Sequence, residues 1–187
     1  MELLLFEFIQ KIKDREIDLY NECGIQFELA LFLRSIARLK DFKIDLERPI
    51  GHFGIKKTVE IPKKEIDLCV YNFHTKEKYG IEIKFSNNGQ VPLQMFKFCE
   101  DICFLEHLKR NNFGECYSFV VVGSDDFIKN KMKNDGIYEY FRGEKIITGP
   151  IICPTGPDKG KVIHIESSYK PEWKILTDST YYYLLKI

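Results

Sequence analysis

The sequence predicts an α/β fold (α+β, one mixed sheet), and three observations predict it. Two short apolar runs, Glu65–Tyr71 and Tyr79–Phe85, flank a polar turn over 72–78 and read as a β-hairpin. The run from Cys116 to Gly123, with Phe119, Val120, Val121 and Val122, is β-branched and too short for a helix, so it reads as a buried central strand. Stretches of helical periodicity lie on both sides of the hairpin, over 21–40 and 91–110.

The chain has 187 residues, enough for one domain with a sizeable core, and no repeat, low-complexity stretch or linker divides it. Its 44% hydrophobic and 30% charged content is that of a soluble globular protein. The formal net charge is zero. A nucleic-acid binder is often basic, so this balance weighs against DNA unless carboxylates gathered at a metal mask a basic rim. No apolar stretch is long enough to span a membrane, and the start Met1-Glu2-Leu3-Leu4-Leu5-Phe6-Glu7 lacks the features of a signal peptide. The six cysteines form no Cys-x-x-Cys and mostly sit in apolar runs. They read as buried reduced thiols of a cytoplasmic protein, not as a disulfide frame or zinc site.

Leu5, Phe8, Ile9 and Ile12 follow helical spacing, and 14–20 breaks that first helix. The second is expected from about Asn21 to Lys40, with Ile25, Leu29, Phe32 and Ile36 on its stripe. Glu28 sits on or beside that stripe, where a carboxylate needs a partner: an arginine such as Arg34 or Arg48, or a functional site. Phe42–Ile50 reads as a strand and Gly51–Gly54 as a turn. Lys56, Lys57, Lys63 and Lys64 flank Val59 and Ile61, either as a protected strand edge or as phosphate contacts. His52 and His74 fall in loops and are given no catalytic role.

After the hairpin, 86–90 is a loop and Pro92 suits a helix start. Met95, Phe98, Cys99, Ile102 and Leu105 form the core stripe of a helix from Val91 to about Arg110. Ser124 caps a helix or extended turn reaching Phe141. Beyond it, 145–153, 161–168, 173–177 and 181–187 are strand-like. Tyr169, Trp173, Tyr181, Tyr182 and Tyr183, with Lys170 and Lys174, suit sheet packing better than base stacking.

The hairpin carries the chemistry. Ile81, Ile83 and Phe85 alternate with Glu82 and Lys84, so Glu82 and Lys84 share a face. If Asp67 on the preceding strand faces the same way, two carboxylates and one ammonium meet on one side of the sheet. Two carboxylates at strand ends can hold a hard divalent cation, and a lysine beside it can orient an attacking water or stabilise a phosphoryl transition state. A surface hairpin with a cross-strand ion pair is the plainer account of an isolated Glu-x-Lys.

Ile66-Asp67, a hairpin loop, then Glu82-Ile83-Lys84 resembles the pattern of the PD-(D/E)xK nuclease superfamily, which includes many restriction endonucleases. The proline that often precedes the aspartate is replaced by Ile66. The resemblance covers roughly the first two thirds of the chain. It implies a restriction-endonuclease-like αβββαβ core over about 21–141, with a β-rich extension over about 142–187. It also implies a Mg2+-dependent (or Mn2+-dependent) endonuclease acting on DNA, in which Asp67, Glu82 and the Ile83 carbonyl bind metal and Lys84 activates or positions water. By the same resemblance Glu28, with Glu22 as alternative, assists at the metal from the first core helix. Gln94, with Gln90 as alternative, steadies the lysine or water from the helix that follows. Restriction enzymes of this type often act as homodimers, so a dimer is expected by analogy. The rival expectations are a nuclease-fold protein that binds without cutting, and an unrelated α+β domain in which Asp67 and Glu82 lie far apart.

Overall fold

In the computed structural model, which describes residues 1–87, 89–129 and 135–187, the expected hairpin forms two neighbouring interior strands of the main sheet. β1 (Lys43–Pro49), β2 (Glu65–Asn72) and β3 (Glu77–Ser86) are successive antiparallel strands, and β4 (Glu115–Val122) runs parallel to β3. A parallel pair needs a crossover of a dozen residues or more, and α3 (Val91–Arg110) supplies it. β7 (Lys174–Thr177) and β8 (Thr180–Lys186) complete a six-stranded mixed sheet in the order β1-β2-β3-β4-β8-β7. β5 (Ile147–Ile152) and β6 (Val162–Tyr169) form a separate antiparallel ribbon. The remaining helices are α1 (Glu2–Lys13), α2 (Glu22–Ser35) and the short α4 (Tyr138–Arg142). The fold is therefore mixed α/β. Of the C-terminal strands, only β5 and β6 stand apart from the main sheet.

Both faces of the sheet are covered. Leu68, Val70, Ile81, Ile83, Tyr117 and Phe119 pack with the apolar stripes of α1 and α2. Cys69, Tyr71, Cys116, Val120 and Val122 pack on the other side with Met95, Phe98, Cys99 and Ile102 of α3. Each buried Phe, Ile or Leu side chain contributes about 1.5–3 kcal/mol relative to exposure. Because side chains alternate along β3, Glu82 and Lys84 point to the α3 side while Ile81 and Ile83 point to α1 and α2. The ribbon is tied to α3 by Glu106, whose carboxylate accepts from Glu166 N (2.9 Å), Ser167 N (2.8 Å) and Tyr169 Oη (3.0 Å).

Several elements differ from expectation. Asn21 caps α2 through a 2.7 Å hydrogen bond from Gly24 N, but the helix ends at Ser35 and not Lys40. Ile36 turns extended there, and Ala37–Leu39 forms a separate 3-10 turn. Ile50–Phe53 is likewise a 3-10 turn, closed by Gly54 at φ 75°. The lysine-rich stretch 54–64 is irregular chain and no strand; Ile55 and Ile61 anchor it in the core while Val59 is fully exposed. Ser124 caps only the 3-10 turn Asp125–Phe127, and 130–134 of the stretch expected to reach Phe141 lie outside the described residues. Tyr182 and Tyr183 are buried, and Trp173 lies edge-on to Tyr183 while donating to Phe141 O, so these aromatics pack. All six cysteines are free, five of them buried and Cys23 exposed. Among the described residues no helix is long and apolar enough to cross a membrane.

Candidate functional site

Asp67 and Glu82 are held by the backbone of each other's strands. The β2–β3 ladder runs from Asn72 paired with Glu77 to Leu68 paired with Ile81, and Asp67 lies just past its end. There the side chains take over the freed N–H groups. Ile83 N donates to Asp67 Oδ2 at 2.8 Å, and Asp67 N donates to Glu82 Oε1 at 3.2 Å. A buried N–H needs a partner, so each carboxylate is oriented by satisfying the other strand's backbone. Opposite this point on β1, Glu47 adopts a left-handed φ of 48°, a conformation that costs a non-glycine residue free energy.

Lys84 completes the expected trio. Its Nζ lies 3.4 Å from Asp67 Oδ2 and donates to the Ile83 carbonyl at 2.8 Å. Asp67 and Glu82 are 4% and 1% exposed, so this is no surface hairpin with a solvated ion pair.

Two further residues enter the site. Asp101, in the middle of α3 and 2% exposed, approaches from above the sheet. Its Oδ1 lies 3.3 Å and its Oδ2 3.7 Å from the ammoniums of Lys63 and Lys84 respectively. Lys63 reaches in from the irregular 54–64 stretch, donating to Asp67 Oδ1 at 2.9 Å and to Glu82 Oε2. Asp101 had a legible signal: it stands three residues after Phe98 and four before Leu105, on the apolar stripe of α3. An acid there needs a partner. Lys63, expected as a strand-edge lysine or a phosphate contact, instead pairs with the carboxylates, a place no sequence signal gave because it lies on no periodic element.

The charges decide the protonation pattern. Burial is the largest influence on Asp67 and opposes its ionisation, but Lys84, Lys63 and the Ile83 N–H outweigh it and hold the carboxyl below its ordinary value. Glu82 goes the other way: burial and the Asp67 charge push it well up despite Lys63. Burial also raises Asp101, to about 6, against the pull of Lys84 and Lys63. Both lysines are held above their ordinary value: burial opposes the ammonium, but Glu82 and Asp101 outweigh it at Lys63, and Asp101 and Asp67 at Lys84. The site thus holds two charged ammoniums among three buried carboxyls.

The helical glutamate at the site is Glu22 and not Glu28. Glu22 Oε1 accepts from Lys84 Nζ at 3.0 Å. Glu28 is half-buried, and among the described residues its side chain has no hydrogen bond or ion pair. The arginines considered for it are engaged elsewhere: Arg34 donates to Ile44 O, and Arg48 pairs with Asp45. The physical reason is position. Glu22 begins α2 within reach of Lys84, near the C-terminal end of β3, whereas Glu28 lies nearly two turns further along. Gln94 is half-buried in the first turn of α3 and its side chain hydrogen-bonds to none of Asp67, Glu82 or Lys84. Gln90 is exposed, and its carbonyl accepts from Leu93 N and Gln94 N.

The donors of this cluster are all hard oxygens, which suits Mg2+ or Mn2+. One of them, Asp101 Oδ2, is buried without a hydrogen-bond partner. Asp67, Glu82, the Ile83 carbonyl and Glu22 therefore fit such an ion in chemistry. Among the described residues, though, no group of three or more His, Cys, Asp or Glu is already spaced to hold a metal. Compared with family models, curated proteins and solved structures, the chain matches none of them.

Proposed function

We propose that the chain is a metal-dependent phosphodiester hydrolase of the PD-(D/E)xK type, acting on DNA. The observation that carries the reading is the convergence of Asp67, Glu82 and Lys84 from adjacent strands, beneath a helix, with the carboxylates oriented by backbone N–H groups. The order α2-β1-β2-β3-α3-β4 supports the restriction-endonuclease-like core that the resemblance implies.

Asp67 and Glu82, with the Ile83 carbonyl, would hold Mg2+ or Mn2+. When bound, such an ion lowers the pKa of its water and offsets charge on a phosphoryl oxygen. Lys84, kept charged by Asp101 and Asp67, positions the attacking water and stabilises the added negative charge of the pentacovalent transition state. Glu22 positions Lys84 from the start of α2. Burial of Glu82 and of Asp101 between the sheet and α3 excludes bulk water from the inner side of the site. Hydrolysis is then an in-line displacement of one phosphodiester oxygen by water.

One observation favours a second reading, a nuclease-fold protein that binds nucleic acid or a protein partner without cutting. The Lys63 ammonium stands among the carboxylates where chemistry needs a metal. Cleavage of supercoiled plasmid and of single-stranded DNA with Mg2+ or Mn2+ separates the two, using the native protein, Asp67→Ala and Lys84→Ala. Metal-dependent cutting by the native protein, lost in both variants, is expected. Cutting equal in all three refutes the site, and no cutting with no metal uptake by calorimetry favours the second reading.

A further inference from the structure

We propose that the Lys63 ammonium is the resident cation of the Asp67–Glu82–Asp101 cluster, and that a divalent metal ion enters the site by exchanging with it. The inference rests on the nuclease reading above and adds what controls occupancy of its metal site.

Among the described residues, Lys63 is the one cation within ion-pair distance of all three carboxylates, whereas Lys84 reaches Asp67 and Asp101. A buried cluster of three carboxyls is costly without an internal positive charge. A Mg2+ ion draws its oxygen ligands to about 2.0–2.1 Å. It needs the same lone pairs of Asp67 and Glu82 that now accept from Lys63. An ammonium and a divalent ion cannot both occupy that space, because each needs to sit between Asp67 Oδ1 and Glu82 Oε2, a position that Lys84 does not take.

Asp101 Oδ2 shows that the ammonium does not saturate the cluster. It is buried, has no hydrogen-bond partner, and lies 3.7 Å from Lys84 Nζ. A buried acceptor left unpaired is costly, and a cation with more ligand positions than an ammonium relieves that cost.

Exchange needs only the side chain of Lys63 to move. Ile61 is buried two residues before it, and Lys64 O accepts from Ile50 N at 2.9 Å just after it, so the backbone is held on both sides. The side chain is 24% exposed, which leaves it a route to solvent. A lysine suits the role because its charge is compact and sits on a flexible four-carbon stem. The carboxylates are kept in place for the ion while the metal-free fold stays neutralised. The consequence is a metal affinity set by competition, lower than the ligands alone would give.

Two measurements test this, neither of them activity. The first is Mn2+ uptake by calorimetry and electron paramagnetic resonance, for the native protein, Lys63→Met and the double variant Lys63→Met/Asp67→Asn. Lys63→Met is expected to tighten binding by about tenfold or more through loss of one competing buried charge, and the double variant to lose the gain. The second needs no variant. Acylation of lysines read by mass spectrometry is expected to find Lys63 protected without metal and labelled at saturating Mg2+, with exposed Lys56 unchanged. This measurement decides if Lys63→Met does not fold. A folded Lys63→Met that binds Mn2+ no tighter than the native protein overturns the exchange while leaving the nuclease reading intact. Unchanged labelling of Lys63 at saturating metal does the same. No Mn2+ uptake by native or variant overturns both.

Discussion

Replacing Asp101 by Asn removes a buried charge with almost no change of shape, and its effect on stability should depend on pH in a stated direction. Asp101 is 2% exposed, and burial raises its carboxyl to about 6 although Lys84 and Lys63 pull it down. In the unfolded chain it titrates near its ordinary 3.8. Between these values the folded state holds the proton more tightly than the unfolded state. The stability this provides is therefore complete below about pH 4 and lost as pH rises through about 6. At about 1.36 kcal/mol per pH unit the loss amounts to about 3 kcal/mol. The assay is urea unfolding in EDTA, from pH 4 to pH 7.5, of the native protein and Asp101→Asn. Groups outside the cluster cancel in the difference, whereas Glu82 and the two lysines feel the Asp101 charge and so contribute to it. The stability gap should move toward the Asn variant by about 3 kcal/mol across the range. A flat gap, or one moving toward the native protein, would mean that attraction to Lys63 and Lys84 outweighs burial at Asp101, and the electrostatic account of the site would be wrong.

Glu22→Gln should lower metal-dependent cleavage by about 10- to 100-fold, as loss of an orienting partner of a working group does, while Glu28→Gln leaves it within error. The reverse order in side-by-side plasmid assays would return the role to Glu28. Glu106→Ala strands the Glu166 and Ser167 N–H groups and the Tyr169 hydroxyl. It should cost on the order of 3 kcal/mol in urea unfolding. A cost below about 1 kcal/mol would mean that water replaces the carboxylate and that the ribbon is not pinned there.

What the sequence made legible follows the range of the interaction involved. The hairpin, α3 and β4 are stretches whose own periodicity decides which face is buried, and they form within a residue or two of the expected spans. Glu82 and Lys84 lie two apart on one strand, so their shared face follows from strand geometry alone. Their meeting with Asp67 needed only the adjacent strand. Glu22 against Glu28 was a harder choice, because it depends on where α2 starts relative to the sheet and not on the pattern within α2. By helical pattern Glu28 lay nearer the buried stripe, yet the first-turn residue is the one that reaches Lys84. Lys63 is the extreme case. It lies on irregular chain between core anchors, Ile55 and Ile61 on one side and Ile66 on the other, and only the tertiary fold carries its amine to the carboxylates. Asp101 stands between these cases. Its place on an apolar stripe marked it as a buried acid in need of a partner, but the identity of that partner came from a strand and a loop that no helical pattern encodes. The site therefore has two layers with different origins. The Asp67, Glu82 and Lys84 layer is written into two neighbouring strands, and it survives any loop arrangement that keeps the hairpin. The Lys63 and Asp101 layer exists only once α3 and the 54–64 stretch close over the sheet. Changes in that second layer should alter which cation occupies the site without disturbing the strands that hold its ligands.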